Sequence, residues 1–301
     1  MSARPSAVEA TLVPATRDLG DGFEVRRALP SAQRRMIGPF VFLDEMGPVT
    51  LPPGRGLDVR PHPHIGLATL TYLFEGEILH QDSLGVRQPI RPGDANWMIA
   101  GRGIVHSERT PQAARAAGHT VWGLQSWLAL PQHEEERAPS FRHHPAAELP
   151  QSSSPGVQIR LVAGTLFGLR SPVQTLSPTF YADAVLEPGA RLTLAPEHEE
   201  RGAYIVTGRV SVDGQSIERG TLLAFRQGME VVLAADAAAR VVLLGGQALG
   251  PRFLWWNFVS SSRERIELAK AHWKAGRFGA VPGDPEFIPL PEERKPKVDY
   301  P

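Results

Sequence analysis

The sequence predicts an all-β chain, two barrels in tandem, with one short C-terminal helix. Three observations lead there. Glycine (29) and proline (28) are plentiful while aromatic residues are only 7% of the chain, a balance that favours many short elements joined by turns. Short β-branched or alternating runs recur along the whole length. Finally, Tyr72-x-x-x-Gly76 is echoed by Tyr204-Ile205-Val206-Thr207-Gly208, and Pro92-Gly93-Asp94 loosely by Arg219-Gly220-Thr221. The echo places a first domain over residues 18–137, a second over 150–260, and a helix with an extended tail over 261–301.

Taken in order, residues before about Asp18 read as a loose lead-in, and Val25, Leu29 and Pro30 open the ordered part. Gly38 to Asp44 is an apolar strand carrying one acid. Asp44 is either the buried partner of a base or an exposed strand end, and the exposed end is the expectation. Leu70 to Phe74 is a β-branched and aromatic strand ended by Glu75-Gly76. Ile78, His80 and Asp82 alternate along a second strand, closed by Ser83-Leu84-Gly85. His80 is expected to be solvated or hydrogen-bonded, with a place behind a ligand as the alternative. Phe74 is expected to pack. Val121 to Leu130 alternates tryptophan and leucine with smaller residues and reads as half-buried. Trp97, Met98 and Gln125 are candidate pocket residues. Pro131 to Pro139 carries a charge run and reads as a solvated linker. His143 and His144 are adjacent, so on a strand they point to opposite faces and chelate poorly. Ser152 to Gly156 reads as a surface loop.

The second domain begins near Val157. Its strands are expected at Arg191–Leu194, Leu222–Phe225 and Val231–Leu233, with a tight hairpin at Asp213-Gly214. Pro251 to Val259 is aromatic-rich and expected to pack between the barrels. Ser261-Ser262-Arg263-Glu264 matches a capping box. Ile266, Ala269 and Trp273 follow at helical spacing, and Gly276 stops a helix over Arg263 to Ala275. The tail from Gly283 is expected to run extended, with Glu292 to Lys297 solvated.

Thirty-two basic residues balance thirty-two acidic ones, so no global field draws the chain to nucleic acid or an anionic membrane. No apolar run is long enough to span a bilayer. Met1-Ser2-Ala3-Arg4-Pro5 has no apolar core and does not read as a secretory signal, so a cytoplasmic location is expected. There is no cysteine, which excludes disulfides, thiolate ligands and cysteine nucleophiles together.

Any metal must therefore be held by nitrogen and oxygen. Arg60-Pro61-His62-Pro63-His64-Ile65-Gly66 is answered by Gly103-Ile104-Val105-His106-Ser107-Glu108. Residues i and i+2 on a strand share a face, so each pair aims two ligands into one space. A His-x-His alone is more often two histidines on a wet strand. The second pair changes that reading, because the turn-rich segments before it can fold its strand back beside the first. Three imidazoles and one carboxylate would then converge, a set suited to a divalent first-row metal with positions left open. Fe(II) fits, as do Mn, Co, Ni and Cu; Zn(II) more often takes four ligands. In the second domain the same offsets from Tyr204 land on Leu194 and Pro196, so that barrel reads as metal-free, with a packing, oligomer or partner role. His198, among Glu197, Glu199 and Glu200, is expected to be solvent-exposed.

His-Pro-His-x-Gly, Thr-Tyr-Leu-Phe-Glu-Gly-Glu, His-x-Asp-Ser-Leu-Gly, Arg-Pro-Gly-Asp-x-x-Trp-Met and Ala-Gly-Arg-Gly-Ile-Val-His-Ser-Glu stand in this order between Met36 and Leu130. Together they resemble the pirin family of the cupin superfamily. The resemblance implies two tandem cupin (jelly-roll) barrels, the first holding one metal through His62, His64, His106 and Glu108. It also implies similarity to quercetin 2,3-dioxygenases, while other members are described as nuclear cofactors that bind transcription regulators. The sequence departs from the commoner pattern after the second histidine, where Ile65-Gly66-Leu67-Ala68 replaces Arg-Gly-Phe-Glu. Any acid–base role borrowed from that glutamate has no carrier at Ala68.

The expected function is an iron-dependent dioxygenase taking a flavonol such as quercetin, or a related aromatic, and O2. Glu108 would serve as ligand and base. The competing class is a non-enzymatic, redox-sensing module that regulates a protein partner; a third reading is a cupin for an unrelated small metabolite. A basic patch beside the metal strand, from Arg55, Arg60, Arg87, Arg91 and Arg102, would favour the module, and an open apolar bowl the enzyme. Direct contact with nucleic acid or membrane is not expected.

Overall fold

The computed structural model describes residues 6–18 and 24–292. The reading of the extreme N-terminus, and nearly all of the charged tail segment, lie outside these residues. Among them no helix is long and apolar enough to cross a membrane.

Each barrel is a large sheet facing a small one, and the two barrels have the same strand plan. In the first, the large sheet runs Ser140–His144, Ala95–Ile99, Leu67–Glu75, His119–Ala129, Phe40–Leu51, Glu24–Leu29, Ala15–Asp18. In the second it runs Val8–Leu12, Leu222–Phe225, Glu200–Thr207, Ala239–Gly246, Thr179–Leu186, Val157–Leu166, Gln151–Ser154. The small sheets match likewise: Asp58–His64, Ile104–Arg109, Ile78–Asp82, Arg87–Ile90 against Arg191–Leu194, Val231–Ala235, Arg209–Val212, Gln215–Glu218. Asp213 and Gly214 both have positive φ, 51° and 77°, as a two-residue hairpin requires.

The edge strands are exchanged between the barrels. Val8–Leu12 leads into the first barrel but pairs with Leu222–Phe225 of the second. Ser140–His144 leads into the second but pairs with Ala95–Ile99 of the first. The lead-in expected to be loose is thus a strand that closes the opposite barrel's edge. Its pattern, with only Leu12 of the five fully buried, is too short and too polar to declare a partner so far along the chain. Ser152 to Ser154, read as part of a loop reaching Gly156, belong to an exposed edge strand, Gln151–Ser154.

The two large sheets pack face to face. Leu70, Tyr72, Trp97 and Leu124 of the first meet Tyr181, Tyr204, Val242 and Leu244 of the second in one core. Two polar bridges cross it and mirror each other. Tyr72 donates to Asp183 (2.8 Å), whose carboxylate also takes a fork from Arg240 (2.8 and 2.5 Å). Tyr204 donates to Glu45, which also accepts from Arg26 (2.5 Å) and Trp122 Nε1 (2.9 Å). The echoed tyrosines are therefore reciprocal: each crosses to a carboxylate on the other barrel. Burial and the neighbouring carboxylate hold both phenols protonated, well above their ordinary value.

The barrels differ inside. The second is filled by apolar, mostly aliphatic side chains, and Leu194, at the ligand offset, is fully buried among Leu161, Phe180, Ile205 and Leu233. His198 is half-buried rather than exposed, donating from Nε2 to the Thr165 carbonyl (2.8 Å) against the Phe180 ring.

The C-terminal segment returns to the first barrel instead of lying between the two. Phe253–Trp255 and Phe258–Ser260 form a hairpin, and Phe258 bridges to Ile65 just past the histidine strand. The helix spans Arg263–Lys274 and buries Ile266 and Ala269, with Gly276 at φ 67° just beyond it. Its N-cap is Ser262, accepting from the Arg265 amide, one residue later than the capping box proposed. Ser261 is drawn away because it, with Ser260, bonds Glu135. Glu135 therefore leaves the solvated linker expected there; it is 5% exposed and also meets Arg252.

Asp183→Ala strips Tyr72 and Arg240 of their acceptor at once and is expected to cost about 3 kcal/mol. Tyr204→Phe removes one hydrogen bond and should cost about 1 kcal/mol. Urea midpoints at constant slope will check the order; a smaller shift for Asp183→Ala would contradict it.

Candidate metal centre

The ligand strands are neighbours, as their spacing requires. Ile104–Arg109 pairs on one side with Asp58–His64, setting His106 opposite His62, and on the other with Ile78–Asp82, setting His106 opposite Asp82 and Glu108 opposite His80. A bulge between His106 and Glu108 puts Val59 across from Glu108, so Arg60 and Pro61 absorb the extra residue.

His62, His64 and His106 offer ring nitrogens that all lie within 4.8 Å of one another. Their exposures are 6, 1 and 1%. Each turns Nδ1 away to a partner. His62 donates Nδ1–H to the Arg60 carbonyl (2.8 Å), and His64 donates to the Asn257 carbonyl (3.1 Å). His106 Nδ1 meets His80 Nδ1 at 3.3 Å, while His80 Nε2 lies 3.0 Å from Asp82 Oδ2. The Asp82 carboxylate only accepts, so a neutral His80 carries its hydrogen on Nε2 and accepts from His106 through Nδ1. All three Nε2 atoms are then bare. His64 and His106 face each other Nε2 to Nε2 at 3.1 Å, two lone pairs in opposition between buried rings. A cation resolves that repulsion, and neutral imidazole is its usual ligand form. The nitrogen set fits a divalent first-row metal ion.

Glu108 lies on the same strand face as His106 but outside the three-histidine group. It is 7% exposed and accepts from Thr71 Oγ1 at 3.4 Å. Burial pushes its carboxyl up to about 7, with Thr71 opposing. Gln125 pairs with Thr71 across the strands and has a buried Oε1 with no partner. The pocket candidates Trp97 and Met98 separate. Met98 packs with Ile104 and Trp127 near the histidines, whereas Trp97 faces the core between the barrels. Trp127 stands 5.0 Å from the His64 ring and stacks on Phe42 at 3.8 Å. Ala68 also packs in the inter-barrel core, so the missing glutamate faces away from the histidines and its loss leaves them intact.

Asp44 is not the exposed end expected. It is 2% exposed and forked by Arg27 at 2.9 and 2.8 Å, and the same guanidinium lies over Phe42. His143 bonds Asn96, consistent with a non-chelating pair. Sequence reasoning missed Asn257, Thr71 and Trp127. Only strand parity could have flagged Thr71 and Trp127, and nothing local marks Asn257.

The C-terminal segment also holds the ligand strands from outside. The Ile288 amide donates to the Pro61 carbonyl (2.8 Å), and Arg109 bonds Asp284 (3.0 and 2.8 Å). Gly66, at φ 67°, allows the Val259 carbonyl to approach where a Cβ would collide. A cleft of ≈ 920 Å³ borders the histidine strand, floored by Val25, Leu57 and Val59 and edged by Arg55 and Arg60.

Residues 22–128 match the pirin family model, and residues 181–279 match that of the pirin C-terminal cupin domain. A pirin-like protein of Caulobacter vibrioides is 53% identical over 280 residues, 92% of this chain and 96% of its own. The chain belongs to the pirin family. The crystal structure of a quercetin 2,3-dioxygenase from Acinetobacter baumannii superposes with a TM-score of 0.86 at 34% identity, covering 95% of this pirin and 96% of that chain. The Escherichia coli pirin YhhW, solved in complex with nickel(II), shares the fold with a TM-score of 0.62 at 19% identity, over 79% of this chain and 99% of its own.

Burial sets how the metal-free pirin responds to pH. It pushes His62 down to about 4 from 6.5, and lowers His64 and His106 as well. Above pH 6.5 these rings are unprotonated whether the chain is folded or not, and their contribution to stability is fully present. As pH falls from 6.5 towards 4, the unfolded chain takes up protons that the folded chain refuses, so stability is lost. Glu108 has the opposite sign: between 4.5 and 7 the folded chain keeps a proton that the unfolded chain releases, so its share declines as pH rises. Thermal melts in chelator should show the acid-side loss from pH 6.5 to 4, and a smaller loss in His106→Gln over the same window.

Proposed function

We propose that this pirin is an Fe(II)-dependent dioxygenase that takes O2 and a flavonol such as quercetin, or a related oxygen-rich aromatic. His62, His64, His106 and Glu108 are the proposed ligands, and the second barrel is proposed to hold no metal. The observation that carries the reading is the convergence of three bare Nε2 atoms. The likeness to the Acinetobacter enzyme supports the choice of substrate.

A redox-capable ion bound there supplies electron transfer between a substrate oxygen and O2. The chain's own residues do the rest. His62, His64 and His106 hold the ion with rings already oriented by their Nδ1 partners. Glu108 is the carboxylate on the same inner face and takes the proton of a substrate hydroxyl, with Thr71 donating to its Oε1. Trp127, backed by Phe42, stands against the His64 ring and walls that side of the space. The cleft at Val59, directly across from Glu108, is the proposed approach.

A second reading has its own support. The four proposed ligands are at most 7% exposed, and Arg55 and Arg60 stand exposed beside their strand. A buried ion near a cleft edged by Arg55 and Arg60 suits a redox sensor that regulates a protein partner.

Metal content and quercetin-dependent oxygen uptake, measured on one Fe(II)-loaded sample, separate the two. The enzyme reading expects stoichiometric iron and steady uptake, both lost in His62→Ala, with uptake down about 100-fold or more in Glu108→Gln. Stoichiometric iron with no uptake from quercetin or related flavonols would move the assignment to the sensor.

A further inference from the structure

Behind His106 lies a buried pair that the proposed reaction does not use. His80 is 4% exposed and Asp82 fully buried. His80 stacks on Phe141 with ring centres 4.3 Å apart and planes 18° apart, so its ring plane is held. The two oxygens of Asp82 have separate duties. Oδ1 accepts from the Leu84 and Val86 amides (2.9 and 3.1 Å), and Oδ2 faces His80 Nε2 (3.0 Å).

We propose that Asp82 and His80 form a tautomer lock on His106, making them positioning residues for the metal centre. The backbone amides orient the carboxylate, and the carboxylate draws the His80 hydrogen to Nε2. His80 Nδ1 is left as an acceptor and draws the His106 hydrogen to Nδ1 (3.3 Å), which keeps His106 Nε2 bare. His62 and His64 do not need such a chain, because a backbone carbonyl orients each directly. His106 alone depends on a side chain whose own hydrogen could sit on either nitrogen. The lock rests on the reading of His106 as a ligand through Nε2.

Asp82→Asn tests it with almost no change of shape. Two amides already point at Oδ1, so the asparagine must keep its oxygen there and turn its NH2 towards His80. His80 Nε2 then accepts, its hydrogen moves to Nδ1, and His106 is forced to carry its own on Nε2, where the ion should sit. An asparagine replacing an orienting aspartate traps histidine in the wrong tautomer in the same way elsewhere. His80→Phe keeps the stack on Phe141 but removes the chain, leaving His106 free to choose.

The experiment is Co(II) binding, followed by the visible spectrum, for wild type, Asp82→Asn, His80→Phe and the double variant, with imidazole ¹⁵N spectra of each. The lock predicts that Asp82→Asn weakens Co(II) by about 10–100-fold, more than His80→Phe does, although it is the gentler change. It also predicts that adding Asp82→Asn to His80→Phe does nothing further. The ¹⁵N spectra should show His80 protonated on Nε2 and His106 on Nδ1 in the wild type, reversed in Asp82→Asn. An equal loss from Asp82→Asn in both backgrounds would mean that Asp82 only supports its turn, and the lock would fall. Wild-type affinity in Asp82→Asn, or a wild-type His80 carrying its hydrogen on Nδ1, would overturn it too. A wild type that takes up no Co(II) would sink the metal reading instead, and the ring tautomers would then decide the lock alone.

Discussion

Three imidazoles can share one small buried space only if each has somewhere else to put its ring hydrogen. The first barrel supplies three such places from three parts of the chain. One is the carbonyl of Arg60, two residues before His62; one is the carbonyl of Asn257, 193 residues beyond His64; one is His80, in the neighbouring strand. Much of the architecture serves these acceptors. The aromatic cluster of Phe258, Trp256, Trp273 and Phe278 fastens the C-terminal segment against Ile65, and that contact brings Asn257 within reach of His64. Glu135 ties down the start of the helix, and Asp284 ties the tail to Arg109, beside Glu108.

The duplication shows what a barrel needs and what it can spare. Both copies keep the strand order, the tyrosine that crosses to the other barrel and the exchanged edge strand. These features bury the large sheets and cap their open edges, so losing them would expose apolar surface and unpaired backbone. The interior is free to differ. The first spends its small-sheet face on histidines and carboxylates; the second fills the same volume with leucine, valine and isoleucine. A polar cluster with lone pairs in opposition is a poor way to stabilise a core, which explains why, among the described residues, one copy carries it and the other does not, and why it points to a ligand.

The places where local reading failed have a common cause. Asp44 looked like an exposed strand end because its partner, Arg27, lies on another strand. The segment before Asp18 looked loose because its partner strand is more than two hundred residues away. Trp97 and Met98 looked equivalent, yet adjacent residues on a strand face opposite ways, and only the packing of the second barrel decides which face is inside. Ala68 lies on the same outward parity as Leu70 and Tyr72, so the family's glutamate position never faced the histidines in this pirin.

What the sequence determined by itself was periodic and local: the two-residue spacing of His62 with His64 and of His106 with Glu108, the strand and hairpin signals, the helix near its true bounds, and the echo that announced two barrels. Each follows from backbone geometry within a few residues. What only the tertiary structure decided was which nitrogen of each ring is bare, which face of a strand is inner, and which distant carbonyl or carboxylate completes each polar group. Those depend on contacts between segments far apart in the chain, and burial makes them decisive, because a polar group shut away from water must find its partner inside the protein.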